Sequence, residues 1–182
     1  MKIYLLLSIT LKLCCFTLFA GDSLNIINKK VSFGFAENKN RTINAIIVHS
    51  TFNNSGGDTY DIDLVIKQFS QYSVSAHYVI GRDGTIYQLV DEKNNSYHAG
   101  KSRLPDGTTN VNACSIGIEL MTSYTESPTE KQVQSLLQLI SSIKNRHTIK
   151  YVLRHSDIAP VRKTDPWNMN WDAFTKQLNE LK

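Results

Sequence analysis

The chain is poor in cysteine: three of its 182 residues are cysteine, and two of them, Cys14 and Cys15, lie near the N-terminus. If the N-terminal segment is removed, Cys114 remains alone and has no partner for an internal disulfide. No second cysteine lies at C-x-x-C spacing, which excludes a thiolate zinc knuckle. The fold must therefore depend on an apolar core, and about 160 residues suffice for one domain.

The sequence also lacks a strong charge of one sign. Its 20 Lys and Arg residues face 16 Asp and Glu residues, and no run of five or six basic residues occurs. No basic stripe alternates with aromatic residues either, so nucleic-acid binding is not expected. Internal repeats and low-complexity segments are absent from the sequence as well. One domain is the simplest interpretation.

The N-terminus has the pattern of a secretory signal peptide. A short basic start, Met1-Lys2, precedes a largely apolar run that ends at Leu18-Phe19-Ala20 and gives way to polar residues at Gly21. This pattern predicts a signal peptide over residues 1–20 and a mature chain over residues 21–182. The protein is therefore expected to be exported, to the periplasm or the extracellular space.

Two alternatives for this segment are weakened by the same residues. Lys12 interrupts the apolar run, which disfavours an uncleaved membrane anchor at this length. Lys12 and Leu13 also stand where a lipoprotein signal before Cys14 would need small residues. No stable membrane span is expected after cleavage.

The remainder alternates between strand and helix patterns. Short apolar runs predict strands at residues 43–48, 75–80, 85–90, 115–121 and 151–153. Helical spacing of apolar residues predicts helices over 60–72, from Ser127 to about 145, and from about Asn170 onwards. Ser127 is predicted as the N-cap of the second helix, with Glu130 three residues later. Together these elements predict a single α/β domain with a central mixed β-sheet flanked by helices.

The stretch from Arg154 to Pro166 is dense in titratable groups and is predicted to be a loop, because prolines at 160 and 166 disfavour helix. It contains His155 and Asp165. His49 stands at the predicted end of another strand, and strand ends are where α/β sheets place reactive groups. His49, His155 and Asp165 are therefore candidate ligands of a catalytic zinc ion, which uses three protein ligands and an open fourth position.

Five motifs in a fixed order resemble one family, the zinc-dependent N-acetylmuramoyl-L-alanine amidases of the amidase type 2 family, which also includes phage lysozyme-type amidases and peptidoglycan recognition proteins. The motifs occupy residues 47–51, 74–84, 97–100, 115–120 and 154–166. The resemblance extends over about residues 43 to 175. It implies an α/β domain with a zinc cleft at the strand ends, and an enzyme that cleaves the amide between N-acetylmuramic acid and L-alanine in peptidoglycan or its muropeptide fragments.

The resemblance also implies residue roles. Zn²⁺ would be held by His49, His155 and Asp165, with Glu119 as general base and Lys163 stabilising the oxyanion. These roles agree with amide hydrolysis, which needs an activated water, a proton acceptor and a nearby cation.

Two further residues, His98 and Asn112, are expected to contact the substrate. Ala76 stands where phage-type members carry a catalytic tyrosine, so Ser75-Ala76-His77 resembles the AmpD-like subgroup instead. That subgroup is typified by a cytosolic protein, in contrast with the predicted signal peptide. His77 itself is expected to be a core histidine.

Two function classes stay open at this point. The first is a hydrolytic amidase, and the second is a peptidoglycan-binding recognition module without catalysis. The complete set of ligands, base and cation favours the enzyme. The expected partner is peptidoglycan or a muropeptide, and the expected state is a monomer.

Overall fold

The computed structural model describes residues 24–38 and 40–181, so the predicted signal peptide and its cleavage site lie outside the described residues. Within them, the strands are β1 (Ile26–Asn28), β2 (Phe35–Ala36), β3 (Ala45–Thr51), β4 (Tyr78–Ile80), β5 (Ile86–Gln88), β6 (Asn95–Ser96), β7 (Ser115–Met121) and β8 (Tyr151–Arg154). The helices are α1 (Ile62–Gln71), α2 (Glu130–Lys144), α3 (His155–Ile158) and α4 (Trp171–Glu180). None of the helices in these ranges is long and apolar enough to cross a membrane.

Six of these strands form one sheet in the order β1-β5-β4-β7-β3-β8. The pairing of β4 with β5 is antiparallel, and the other four pairings are parallel. The small strands β2 and β6 form a separate antiparallel pair. This arrangement confirms the predicted α/β domain with a mixed central sheet.

The two central strands divide their side chains between the faces of the sheet. Ile46 and Val48 of β3, with Ile116 and Ile118 of β7, lie in a buried apolar cluster with residues of α2 and α4. Because successive strand residues point to opposite faces, His49 and Glu119 lie on the other face. The helices α2 and α4 therefore cover the face of the sheet opposite to His49 and Glu119.

Strand β3 is longer than the sequence predicted. Its parallel pairing with β7 continues from Ala45 to Thr51, so His49 lies inside the strand and not at its end. The ladder continues because β7 supplies partners as far as Met121 for polar residues that the apolar pattern did not include.

Helix α2 begins two residues later than predicted. Its N-cap is Thr129, not Ser127: the Thr129 hydroxyl accepts the N–H of Gln132, and the Gln132 side chain accepts the N–H of Thr129. Gln132 is also buried and donates to the carbonyls of Ile80 and Met121. Ser127 with Glu130 and Thr129 with Gln132 both have the spacing of a capping box. The contacts of Gln132 with the sheet stabilise the second.

The stretch from Arg154 to Pro166 is not entirely loop. Its first residues form the short helix α3, which begins at His155. The Asp157 carboxylate accepts the N–H of Arg154 and pairs with its guanidinium, so Asp157 caps the start of this helix.

Glu92, in the loop after β5, ties the sheet to the end of α2. Its carboxylate accepts hydrogen bonds from Tyr78 of β4 and from Arg146, and it contacts His147, each at 2.7 Å. Burial alone would raise the pKa of Glu92, but the hydrogen bonds from Arg146, Tyr78 and His147 outweigh it and lower the pKa to about 2. The ionised carboxylate therefore stabilises the folded chain.

We expect Glu92→Gln to lower the free energy of unfolding near neutral pH by about 2 kcal/mol, a value already reduced for partial solvent screening. Because the folded-state pKa lies below its ordinary value of 4.5, this stabilisation is present above that value and is lost as the pH falls towards about 2. Urea unfolding at a series of pH values measures it, with the exposed Glu180→Gln as control. A deficit equal at neutral and acid pH would contradict the assignment.

Candidate metal centre

Three elements bring the predicted metal ligands together. His49 lies in β3, and His155 follows the neighbouring strand β8, whose Arg154 pairs with Val48. Asp165 lies in the loop after α3. All three side chains are buried, and one potential ligand atom of each lies within 4.8 Å of the others.

The Asp165 carboxylate is the meeting point of this group. Its Oδ2 atom lies 3.1 Å from Nδ1 of His155 and 3.5 Å from Nδ1 of His49. The backbone N–H of Ser50 donates to the same oxygen at 3.4 Å. Nδ1 of His49, Nδ1 of His155 and Oδ2 of Asp165 thus point towards one shared position.

The other nitrogen of each imidazole has a partner of its own. Nε2 of His155 lies 3.3 Å from the carbonyl oxygen of Ala99, which can only accept, and Nε2 of His49 lies 2.9 Å from Nδ1 of His98. Burial is the main reason that the pKa of His49 falls to about 4, so this ring is neutral near pH 7. A neutral ring protonated at Nε2 presents a lone pair at Nδ1.

These donors fit a zinc ion. Two imidazole nitrogens and a carboxylate oxygen converge in a buried space, where a proton or a metal cation between them offsets the repulsion of their lone pairs. Two nitrogens and one oxygen also match the ligand preferences of Zn²⁺, and partners on the outer nitrogens are typical of zinc histidines.

Glu119 lies beside His49, its register partner across β3 and β7. Its side chain is buried, and its Oε2 atom has no hydrogen-bond partner among the described residues. Burial raises the pKa of Glu119 well above its usual range; the charge of Asp165 adds to this effect and that of Lys163 opposes it. The carboxyl group is therefore suited to carrying a proton.

The residues predicted to bind substrate make contacts inside the protein. The ring of His98 lies against His49 and Ser115. The side-chain oxygen of Asn112 accepts the backbone N–H groups of His98 and Ala99. Their contact with a substrate stays a prediction.

His77 is a core histidine, as expected. Its side chain is fully buried, Nδ1 accepts the N–H of Gly117 at 3.0 Å, and Nε2 lies 3.1 Å from the carbonyl oxygen of Asn94. Both ring nitrogens are satisfied, so this ring is not available to a metal.

Two supporting residues were missed from the sequence. The Ser50 hydroxyl accepts hydrogen bonds from Thr122 at 2.7 Å and from the N–H of Trp167 at 3.1 Å, which fastens the Asp165 loop to β3. Arg41 donates to the carbonyls of Asn94 and Ser115 next to the ring of His77, and burial lowers its pKa to about 10. The position of Ser50 next to His49 was the available signal; Arg41 offered none.

Fold and site together define an α/β domain with a candidate metal centre on one face of its sheet. The family model described as N-acetylmuramoyl-L-alanine amidase matches residues 39–168. The chain therefore belongs to the N-acetylmuramoyl-L-alanine amidase family, which confirms the resemblance carried by the five motifs.

Individual relatives agree with this membership. The 1,6-anhydro-N-acetylmuramyl-L-alanine amidase AmpD of Escherichia coli (strain K12) is 39% identical over 110 residues, which is 59% of this chain and 60% of that protein. The chain thus aligns with less than two thirds of that curated relative.

Solved structures are similar over more of the chain. A crystal structure of an AmpD derivative has a TM-score of 0.68 at 30% identity and covers 82% of this chain and 92% of its own. The amidase AmiD from E. coli, in complex with the substrate anhydro-N-acetylmuramic acid-L-Ala-D-gamma-Glu-L-Lys, has a TM-score of 0.63 at 29% identity. That match covers 79% of this chain and 65% of the AmiD chain.

We expect Ser50→Ala to lower the free energy of unfolding by about 1–3 kcal/mol, because it leaves the buried Thr122 hydroxyl and the Trp167 N–H without an acceptor. Thermal or urea unfolding of the metal-free protein measures the loss. Ser70→Ala on the exposed side of α1 is the matched control, with an expected change below about 0.5 kcal/mol. Equal stability of the two variants would show that Ser50 does not fasten the loop.

Proposed function

We propose that this protein is a zinc-dependent amidase that hydrolyses the bond between N-acetylmuramic acid and L-alanine in peptidoglycan or its muropeptide fragments. One observation carries the proposal: the buried group of His49, His155 and Asp165 lies beside a buried carboxyl group, Glu119, that has an oxygen without a partner among the described residues. Family membership and the muropeptide bound in the AmiD complex support the choice of substrate.

The metal would be held by His49, His155 and Asp165. A zinc ion at this position supplies Lewis-acid chemistry: it polarises a carbonyl and lowers the pKa of water from 15.7 to about 7. The protein's part is to keep the His49 imidazole neutral, because burial lowers its pKa, and to hold the Asp165 carboxylate against Nδ1 of both histidines. The carbonyl of Ala99 at Nε2 of His155 and the ring of His98 at Nε2 of His49 orient the two rings.

Glu119 would move the protons. As the ionised carboxylate, Glu119 would accept a proton from the attacking water; as the carboxylic acid that its raised pKa favours, it would pass that proton to the nitrogen of the leaving L-alanine. Its Oε2 atom has no partner among the described residues, so it can accept a hydrogen bond from that water. Glu119 is therefore assigned as general base and then general acid.

Lys163 would stabilise the oxyanion that forms as the carbonyl is attacked. It lies two residues before Asp165, and its charge acts on the pKa of both Glu119 and His49. An ammonium group whose charge acts on the site offsets developing negative charge, which is larger in the transition state than in the substrate.

We also propose that the domain acts outside the cytoplasm as a monomer. The basic start, apolar run and small-residue boundary within residues 1–20 support export. Sedimentation of the mature chain and amino-terminal sequencing of secreted protein test these two points.

Metal removal tests the proposed reaction. Purified protein should release stem peptide from a soluble muropeptide, lose this activity on dialysis against a chelator, and regain it with one equivalent of Zn²⁺. Mass spectrometry of the released peptide measures the reaction. Unchanged release by metal-free protein would contradict the zinc mechanism, and tight muropeptide binding without release would favour the recognition module.

Replacement of Glu119 tests the proton transfer. We expect Glu119→Gln to lower kcat by about 10²- to 10⁴-fold, because the amide cannot exchange the proton, while the zinc content stays at the native level. Steady-state kinetics and metal analysis measure the two quantities, with Glu180→Gln as a control. Native turnover by Glu119→Gln would remove this residue from the acid–base role.

A further inference from the structure

The ring of His98 lies in a chain of hydrogen bonds whose direction is fixed at one end. The Ser115 hydroxyl donates to the carbonyl oxygen of Val111 at 2.6 Å. Because its proton is used there, Ser115 Oγ accepts from Nε2 of His98, which lies 3.2 Å away. Nδ1 of His98 is then an acceptor, and it lies 2.9 Å from Nε2 of His49.

This series of hydrogen bonds determines which nitrogen of His49 carries the proton. With Nε2–H donated to His98, Nδ1 of His49 keeps its lone pair and faces Asp165. The backbone carbonyl of Val111 thus sets, through Ser115 and His98, the tautomer that a metal ligand needs.

Gly117 makes room for the His98 ring. A Cβ atom at Gly117 would lie 2.7 Å from both Nδ1 and Cδ2 of that ring, closer than real Cβ contacts. The ring therefore packs against bare backbone of β7. Ser115, Gly117 and Glu119 lie on the same face of β7, and the two small residues leave the space that the ring fills.

Ala99, the residue after His98, contacts the second candidate ligand, His155. The carbonyl oxygen of Ala99 lies 3.3 Å from Nε2 of His155 and also accepts from the Arg162 guanidinium at 3.2 Å. The side-chain oxygen of Asn112 holds both residues by accepting the N–H of His98 at 3.2 Å and of Ala99 at 2.8 Å.

We propose that the His98–Ala99 segment, held by Asn112, is a positioning element that sets the ring orientation and the tautomer of both histidine ligands. The proposal rests on the proposed function only in assigning His49 and His155 to a metal. It gives His98 and Asn112 a role through other residues, where the sequence predicted direct contact with substrate.

Two variants of His98 test the contacts of its two ring nitrogens separately. His98→Asn places a side-chain oxygen near the former Nδ1 and keeps an acceptor for His49, but loses the link to Ser115. His98→Gln reaches towards Ser115 and loses the acceptor near His49. The variants share the amide group and differ in which contact they keep.

Zinc affinity, measured by competition with a chromogenic chelator, is the main readout. We expect His98→Gln to weaken Zn²⁺ binding by about 10- to 100-fold and His98→Asn to stay within about threefold of the unmodified protein. The absorption spectrum of the Co²⁺-substituted protein should change in His98→Gln and return towards the native spectrum in His98→Asn. Thermal unfolding of the metal-free proteins establishes that both variants are folded.

Two variants of Asn112 give an independent test. Asn112→Ala removes the acceptor for two backbone N–H groups and should weaken zinc binding by about tenfold, whereas Asn112→Asp keeps an oxygen there and should bind zinc more tightly than the alanine variant. A substrate-contact role predicts instead a raised KM at unchanged zinc affinity in all four variants.

The outcomes distinguish this proposal from the proposed function. Zinc affinity that is unchanged in His98→Gln, or lowered equally in both His98 variants, would overturn the positioning role even if the protein is an active amidase. Zinc affinity that depends on His98 as expected, in a protein that releases no peptide, would uphold the positioning role and refute the amidase. A native chain that binds no zinc would refute both.

Discussion

The parallel pairing of β3 with β7 and β8 is the constraint on which the site depends. The register places His49 opposite Glu119 and aligns Val48 with Arg154, so that His155 follows at the level of His49. A slip of one residue would turn a strand's side chains to the opposite face and separate the candidate metal ligands from the Glu119 carboxyl group. The apolar contacts of Ile46 and Val48 with α2 and α4 specify this register, so packing on one face determines geometry on the other.

Strand β7 shows how one segment serves both purposes. Its residues facing α2 and α4 are large and apolar, whereas the alternate positions carry Ser115, Gly117 and Glu119. This second face buries polar groups at a cost, since Glu119 is desolvated and has an oxygen without a partner among the described residues. The surrounding core must offset that cost, which is typical of functional sites.

Much of this arrangement could be predicted from the sequence. The apolar runs located five of the six strands of the sheet, whereas the edge strand β1 was not predicted. The ordered motifs identified the residues that the structure brings together, including Asp165, which no strand pattern places. The N-cap of α2 could not be predicted, because Ser127 and Thr129 both begin acceptable capping boxes. The choice depends on tertiary contacts: the Thr129 hydroxyl donates to the carbonyl of Arg82, and Gln132 reaches two carbonyls of the sheet. The extent of β3 beyond His49 likewise depends on its partner strand.

The hydrogen-bond partners of His49 and His155 could not be predicted from sequence patterns either, because they too depend on tertiary contacts. Strands β3 and β8 fix the backbone of His49 and place His155, but a strand leaves the rotation of an imidazole open. A carbonyl such as that of Ala99 belongs to every residue and carries no sequence signal, so only the fold can show that it faces His155. The segment that supplies it comes from neither strand and approaches over Gly117, the one place on β7 where a ring can lie against the backbone without meeting a Cβ atom. The identity of the candidate ligands is thus encoded locally in the sequence, whereas the orientation of their rings is a tertiary property that involves a small residue in a third element.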